Sequence, residues 1–415
     1  MAYSNNAQIE LTGQSAVLEE RLVPITAELN EKPLRVNKKT WQTNLEAAEE
    51  DAGCLIDYCR LLIGGDDFRP NSVADCARVL FADRGLKPKK VSKKSGKPLA
   101  DKDTLTELAN EGDKLAEIIV EARSAISRRS QLKAWKPYAE MGKVHSSWDS
   151  LGTPHGRYTS DAPCLCNRIL PIRESIEPDP GYSFLSLDLS QAEYVTWASL
   201  SGDLVLGEAF LQGRDFHLEM ARAIRELVPT WDLRGKEERD AGKTLNFAIL
   251  YQMLPTTLAR KLGCSVEIAT QIIHAYYGRA ETAANYIKRA LRAGRKNGYV
   301  ATYFGRRRYC PEYLNSNGDT HEIEKTLWNH INAGSAAEFL KWKQVHVWEA
   351  LRKAHFTKDD VRLSLQMYDE TVWQCRDSLL KEVREIAEEV WLRKEPGFLP
   401  FRAEVKIGRT WKECS

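Results

Sequence analysis

The sequence predicts a mixed α+β fold with helices inserted between its strands, and three features carry that prediction. "YSFLSLDLS", residues 182–190, has the apolar density of a short buried strand ending near Asp188. Residues Asp113 to Trp135 place Leu115, Ile118, Ile119, Ala122 and Ile126 at helical spacing, and helical patterns dominate again over 191–297. Strand patterns return at 298–304, 362–375 and 401–407.

At 415 residues the chain has room for roughly two to three domain-sized units. Its 43% hydrophobic and 28% charged content is that of an ordinary globular chain able to bury a large core. With a net charge of only +2, any nucleic-acid partner must be argued from where the charge is concentrated. No run approaches the roughly 18 apolar residues of a membrane span, and "MAYSNNAQIE" lacks the charged and apolar parts of a signal peptide. A cytoplasmic protein with no membrane partner is expected. Only Cys164 and Cys166 of the nine cysteines lie close together. C-x-C without a second pair is weak zinc chemistry, even with His145 and His155 upstream, so reduced and mostly buried thiols are preferred.

Residues 17–60 read as helix, with Leu18, Leu22 and Ile25 on one apolar face. One helix later comes "RGLKPKKVSKKSGKPLADK", residues 84–102, where Arg84, Lys87, Lys89, Lys90, Lys93, Lys94, Lys97 and Lys102 face the single acid Asp101. Such a run is ordinarily a solvated loop; its lysine density equally suits a phosphate backbone. Residues 142–181, rich in Gly, Pro, Ser and Cys, are linker-like. In "LSLQMYDETVWQC", residues 363–375, Leu363, Leu365 and Met367 alternate with Ser364, Gln366 and Tyr368, the period of a half-buried strand. Continued, that alternation puts Asp369 on the apolar face, where an unpaired carboxylate is costly. Asp369 must therefore be at a turn, protonated, paired, or bound to metal.

Two constellations carry chemistry. Asp188 and Asp369 are far apart in sequence, but adjacent strands could bring them together. Their mutual repulsion would then raise a pKa unless a divalent cation lay between them. Each alone reads equally as a turn or cap aspartate. In "RDAGKTLNFAILYQ", residues 239–252, Arg239, Lys243, Phe247 and Tyr251 recur every fourth residue and form one slowly winding helical stripe. Cations followed by flat apolar rings match the order of parts in a nucleotide; an amphipathic helix with a solvated basic end gives the same pattern.

"LDLSQAEYVTWASLSGD" with "GRDFH", the Arg239–Tyr251 helix, "GYVATYFGRRRYCPEY" and "LQMYDE" resemble, in order, the polymerase motifs of family A DNA polymerases, the bacterial polymerase I type. "TPHGRYTSDAPCLCNRILPIR" is similar to the segment before the first motif, "FRPNSVADCARVLF" and "KKSGK" to the thumb, and "FRAEVKIGRTW" to the C-terminal strand. The resemblance runs from about residue 17 to the end.

It implies a right-hand polymerase fold with an antiparallel palm sheet and helical thumb and fingers. The tail would be 1–16, the thumb 17–147, the palm 148–205 and 311–415, and the fingers 206–310. Asp188 and Asp369 would bind two Mg²⁺ ions (Mn²⁺ as a substitute), with Glu370 a supporting acid at the tip of a hairpin. Arg239, Lys243 and His217 would contact the triphosphate of an incoming dNTP, with Lys243 the proton donor to pyrophosphate. Phe247 and Tyr251 would flank base and sugar, and Gln191 and Glu193 would complete the pocket, Glu193 blocking a ribose 2′-hydroxyl. Arg157, Asn167, Asn329 and Tyr368 would meet the primer–template, and Asn71, Ser72, Lys93, Lys94 and Lys97 would grip its backbone from the thumb.

The chain departs from the family pattern at Gln252, usually Gly; at Ile331 and Ala333 in "NHINAG", usually Pro and Gln; and at Tyr368, usually His. Primer-end handling and fidelity are touched, metal chemistry is not. The resemblance implies a monomeric, template-directed DNA polymerase. With some sixteen residues before the thumb, no proofreading exonuclease is expected, an economy that suits a phage, prophage or plasmid. Two other readings are a catalytically weak nucleic-acid-binding homologue, which would not need both acids together with Arg239 and Lys243, and an RNA-templated polymerase. Glu193 disfavours ribonucleotides, while RNA as template stays open.

Overall fold

The computed structural model describes residues 8–92, 94–166, 168–212, 214–227, 235–316 and 318–414; Lys93 and Asn167 lie outside the described residues. Its principal elements in chain order are α1 (Gln14–Leu29), α2 (Lys38–Ile63), α3 (Lys114–Ala134), β1 (Tyr182–Ser190), α4 (Ala192–Ser201), α5 (Phe216–Leu227), α6 (Gly235–Leu250), α7 (His321–Lys353), β2 (Val361–Met367), β3 (Glu370–Arg376), α8 (Leu380–Leu392) and β4 (Arg402–Gly408). The central sheet has the order β2-β3-β1-β4, every pair antiparallel. As an inner strand, β1 buries Phe184, Leu185, Leu187 and Leu189 completely, and α8 packs against β1, β3 and β4.

The span 17–60, expected as one helix, is two. Helix α1 ends at Leu29, the strand Leu34–Val36 follows, and α2 starts after Asn37, whose side chain accepts from the Thr40 N–H. Pro33 explains the break, because the residue before a proline is pushed out of the helical region. Leu18, Leu22 and Ile25 do share a buried face, with α1 packed against α7 and β2. That packing corrects a second expectation: β2 is buried along both faces, Ser364 and Gln366 included, rather than half-buried. The 362–375 pattern is a hairpin, since Met367 pairs with Glu370 and leaves Tyr368 and Asp369 as its two turn residues. The 298–304 pattern is a shorter strand, Tyr299–Ala301, paired with Arg306–Tyr309, which in turn pairs with Ile9–Leu11.

Helix α7 runs through the core and is buried on every side from His330 to Lys341, so its sequence there lacks a polar stripe. A Cβ on its Gly334 would fall 2.7 Å from Thr302 Cγ2, so a glycine there leaves room for the Thr302 side chain against the helix. Beside it lies a buried set of two cations and two acids. Arg306 donates to Glu19 and, at 3.1 Å, to Glu338, while Lys341 donates to Glu19 at 2.6 Å. Ser15 adds a hydrogen bond to Glu338 at 2.7 Å. These contacts tie α1, α7 and the 306–309 strand into one unit.

Helices α2 and α3 pack along each other as a separate arm. Its own core joins Cys59, Phe68, Val79, Leu80, Leu105 and Leu108. Asp113 starts α3 by accepting from the Ala116 N–H. Among the described residues no helix is long and apolar enough to cross a membrane.

Candidate active site

The β1–β3 register sets Glu370 opposite Asp188, and the β1–β4 register sets Glu404 opposite it on the other side. At the hairpin turn the Asp369 carbonyl accepts from the Leu189 N–H at 2.9 Å, which locks Asp369 beside Asp188. Of the four states the sequence left open for Asp369, the turn is realised. The acids open into a cavity of about 240 Å³, also lined by Arg173 and Lys406. Burial and the charges of Asp369, Glu370 and Glu404 push the Asp188 carboxyl up to about 7. Burial also raises Asp369, opposed by a backbone hydrogen bond and the Arg157 charge. It raises Glu370 as well, opposed by the Ser186 hydroxyl, which donates to it at 2.7 Å.

The donors are all carboxylate oxygens, a set that suits a hard divalent cation, and a cation would relieve the repulsion that raises Asp188. Among the described residues no three His, Cys, Asp or Glu side chains form a metal-holding cluster, so such an ion would complete its shell from water and substrate oxygens. A pH dependence follows. Folded Asp188 binds its proton up to about pH 7, whereas an unfolded aspartate loses it near 3.9, so metal-free stability should fall as pH rises through that window. Thermal melts in EDTA at pH about 5 and about 8 should show the loss, and Asp188→Asn should remove most of it. A wild-type melting temperature that is flat over this range would refute the strained pair.

On the facing helix, α6, the stripe is arranged as its spacing predicts. Arg239 donates to Asp215 at 2.6 Å, Lys243 is exposed, and Phe247 stacks on Tyr251 with ring centroids 6.3 Å apart and planes 10° apart. His217 is buried rather than presented to solvent. Asn246 donates to its Nδ1 at 2.7 Å, and burial, with Arg239 and Lys243 nearby, lowers its pKa to about 4. It is therefore neutral at pH 7 and offers a hydrogen bond instead of a charge. Gly242 brings α5 and α6 together, for a Cβ there would lie 2.2 Å from the His217 carbonyl oxygen.

A line of side chains joins this helix to the acids. The Tyr251 hydroxyl donates to Glu193 Oε2 at 2.6 Å, Glu193 Oε1 pairs with Arg157, and the Arg157 guanidinium lies over the Tyr368 ring, 5.6 Å from its centroid. Asn332 on α7 steadies the first turn of α4 by donating to the Glu193 carbonyl at 3.2 Å. Backbone strain collects here. Among the described residues, five non-glycine positions have positive φ, and Gln191 (57°), Gln252 (49°) and Tyr368 (46°) border this site.

The remaining expected residues stand elsewhere. Asn329 is part-exposed on α7, one turn before the buried Ala333. Asn71, Lys94 and Lys97 are exposed on the α2–α3 arm, away from the acids, and Ser72 caps the helix Val73–Ala77 by accepting from the Asp75 N–H. In the basic loop Arg84 pairs with Asp113, Lys89 with Glu111 and Lys90 with Asp101, so the loop is less cationic than its sequence. His145 bonds the Asn30 carbonyl, and Cys164 and Cys166 both neighbour the Ser160 hydroxyl. Sequence reasoning missed Arg173, Ser186, Asp215, Asn246, Glu404 and Lys406. Period-two alternation alone would have found three of them: Ser186 shares the Asp188 face of β1, and Glu404 and Lys406 share a face of β4.

A sheet carrying juxtaposed acids, a facing helix with a basic and aromatic stripe, and a separate helical arm define the palm, fingers and thumb of a right-hand fold. The sequence profile of DNA polymerase family A matches residues 38–413, and the chain belongs to that family. It is 31% identical over 364 residues to a thermostable DNA polymerase I of Thermus filiformis, covering 85% of this chain and 42% of the relative. It is 29% identical over 365 residues to DNA polymerase I of Chloroflexus aurantiacus, covering 85% and 38%. The chain thus spans less than half the length of these relatives. The solved POL domain of Pol1 from M. smegmatis, in complex with DNA primer-template and dNTP, has the same fold, with a TM-score of 0.85, 24% identity, and coverage of 95% of this chain and 70% of that one.

Proposed function

We propose that the chain is a template-directed DNA polymerase that adds dNTPs to a primer 3′-hydroxyl. The observation that carries this reading is the line Tyr251–Glu193–Arg157–Tyr368, which puts the fingers stripe and the paired acids in one site. Asp188 and Asp369 would hold two Mg²⁺ ions, with Glu370 hydrogen-bonded behind them; the ions would supply positive charge to the attacking hydroxyl and the departing pyrophosphate. Arg239 and Lys243 would meet the triphosphate, and Lys243 would protonate the leaving pyrophosphate. Phe247 and Tyr251 give the new base pair its stacking surface. His217, neutral, gives a hydrogen bond, and Gln191 shapes the turn from which Glu193 enters the sugar pocket. Arg157, Asn329 and Tyr368 face the primer–template minor groove, where shape is read with little sequence preference. Asn71, Ser72, Lys94 and Lys97 belong to the thumb grip on the DNA backbone.

The α2–α3 arm is the thumb, α5 and α6 belong to the fingers, and the β1–β4 sheet is the palm. This chain is proposed to leave a mismatched 3′ nucleotide in place. Primer extension in Mg²⁺ on matched and mismatched ends, with dNTPs or rNTPs, tests the reading. Matched ends with dNTPs should extend, rNTPs should be used poorly, and no 3′ end should shorten. Efficient rNTP use or shortening would overturn the corresponding part. Because Phe247 lacks a hydroxyl, Phe247→Tyr is expected to relax rejection of dideoxynucleotides. An unchanged ratio of dideoxy to deoxy incorporation would count against its place beside the sugar.

A further inference from the structure

Tyr368 stands at the hairpin tip in an unusual backbone conformation. Its φ of 46° puts an aromatic residue in the left-handed region that favours glycine. Strain of this kind persists only where the surroundings over-determine it. The ring is about half exposed, 49%, yet carries the Arg157 guanidinium above it. Arg157 in turn pairs with Glu193, with side-chain exposures of 27% and 14%. Both Glu193 oxygens are thereby occupied, one by Arg157 and one by the Tyr251 hydroxyl. A hydroxyl on the sugar of a bound nucleotide would therefore meet a carboxylate held in place from both sides.

We propose that Tyr368 is a positioning residue for sugar selection: its ring holds Arg157 against Glu193 and so fixes the carboxylate that excludes a ribose 2′-hydroxyl. This rests on the polymerase reading above and deepens it. An imidazole at this position would present a smaller ring, and a protonated one would repel the guanidinium; a phenol ring gives a neutral π face. The tyrosine ring thus holds Arg157 through a cation–π contact. Such contacts change equilibria by about three- to thirty-fold, which sets the size of the expected effect.

The test compares Tyr368→Leu and Tyr368→Phe with the wild type in single-nucleotide incorporation of a dNTP and the matching rNTP, separating kcat from KM. Tyr368→Leu should lower the dNTP-to-rNTP selectivity by about three- to thirty-fold, mainly by making the ribonucleotide a better substrate. Tyr368→Phe, which keeps the π face, should retain wild-type selectivity. A leucine variant with selectivity within about two-fold of wild type, or a phenylalanine variant that behaves like leucine, would overturn the proposal. Failure of the wild type to incorporate any nucleotide would instead refute the polymerase reading. Crystal structures of wild type and Tyr368→Leu supply a readout that needs no turnover: the Arg157–Glu193 pair should open in the variant, and a pair still closed would overturn the positioning role.

Discussion

Asp369→Asn is expected to lower primer extension in Mg²⁺ by on the order of 10³-fold or more, with primer–template affinity unchanged within a few-fold. Asparagine has the size and turn preference of aspartate, so the hairpin tip and the hydrogen bond from the Leu189 N–H to the residue-369 carbonyl should survive. What is lost is one of the two negative charges proposed to hold a divalent cation beside β1. Asp188→Asn should be as severe for activity but opposite for stability. Removing a carboxyl raised to about 7 by burial and its neighbours should stabilise the metal-free protein at pH about 8, by at most about 4 kcal/mol and less after solvent screening. An enzyme that becomes more heat-stable as it becomes inactive would mark these acids as functional rather than structural. Retention of a tenth or more of wild-type extension by either variant would exclude the two-acid centre.

Arg306→Leu is expected to destabilise the fold by about 3–5 kcal/mol, the usual cost of stranding buried charge. Arg306 and Glu338 are completely buried, and Glu19 is 7% exposed. Removal of the guanidinium leaves Lys341 to balance two carboxylates. A Cβ on Gly156 would lie 2.8 Å from the Arg306 Cζ, so the loop that carries Arg157 rests directly on this group. The substitution should therefore reduce activity as well as stability. The double variant Arg306→Leu, Glu338→Leu should recover part of the stability, because it removes the stranded acid too. Denaturant unfolding measures both; a single variant within about 1 kcal/mol of wild type would show that the network adds little.

The parts of this molecule legible in sequence are those in which one local pattern has one structural solution. The strand 182–190 is found at those residues because an inner strand must be apolar on both faces, and Asp188 is conspicuous within it. The helix from Asp113 carries its own start signal in the capping aspartate. The α6 stripe was visible because a four-residue repeat keeps side chains on one helical face. Where the sequence reading failed, tertiary packing decided. Nothing in "LSLQM" announces that its polar positions will be buried, and Lys89 finds an acid outside its own run. His217 is similar: its neighbours in sequence say nothing of Asn246, which donates to its ring, or of the burial that keeps it neutral. The pairing of Asp188 with acids on both flanking strands depends on register, which sequence separation conceals.

The most direct test of the central claim, that β1 and the hairpin tip form a nucleotidyl-transfer centre served by the fingers stripe, is single-nucleotide addition to a primer on four templates that differ only in the next base. Each dNTP is offered alone, with Mg²⁺ or with EDTA. The expected result is addition of the complementary nucleotide on each template, dependent on Mg²⁺ and absent in Asp369→Asn. Addition that ignores the template base, or that persists in EDTA or in the variant, would contradict it.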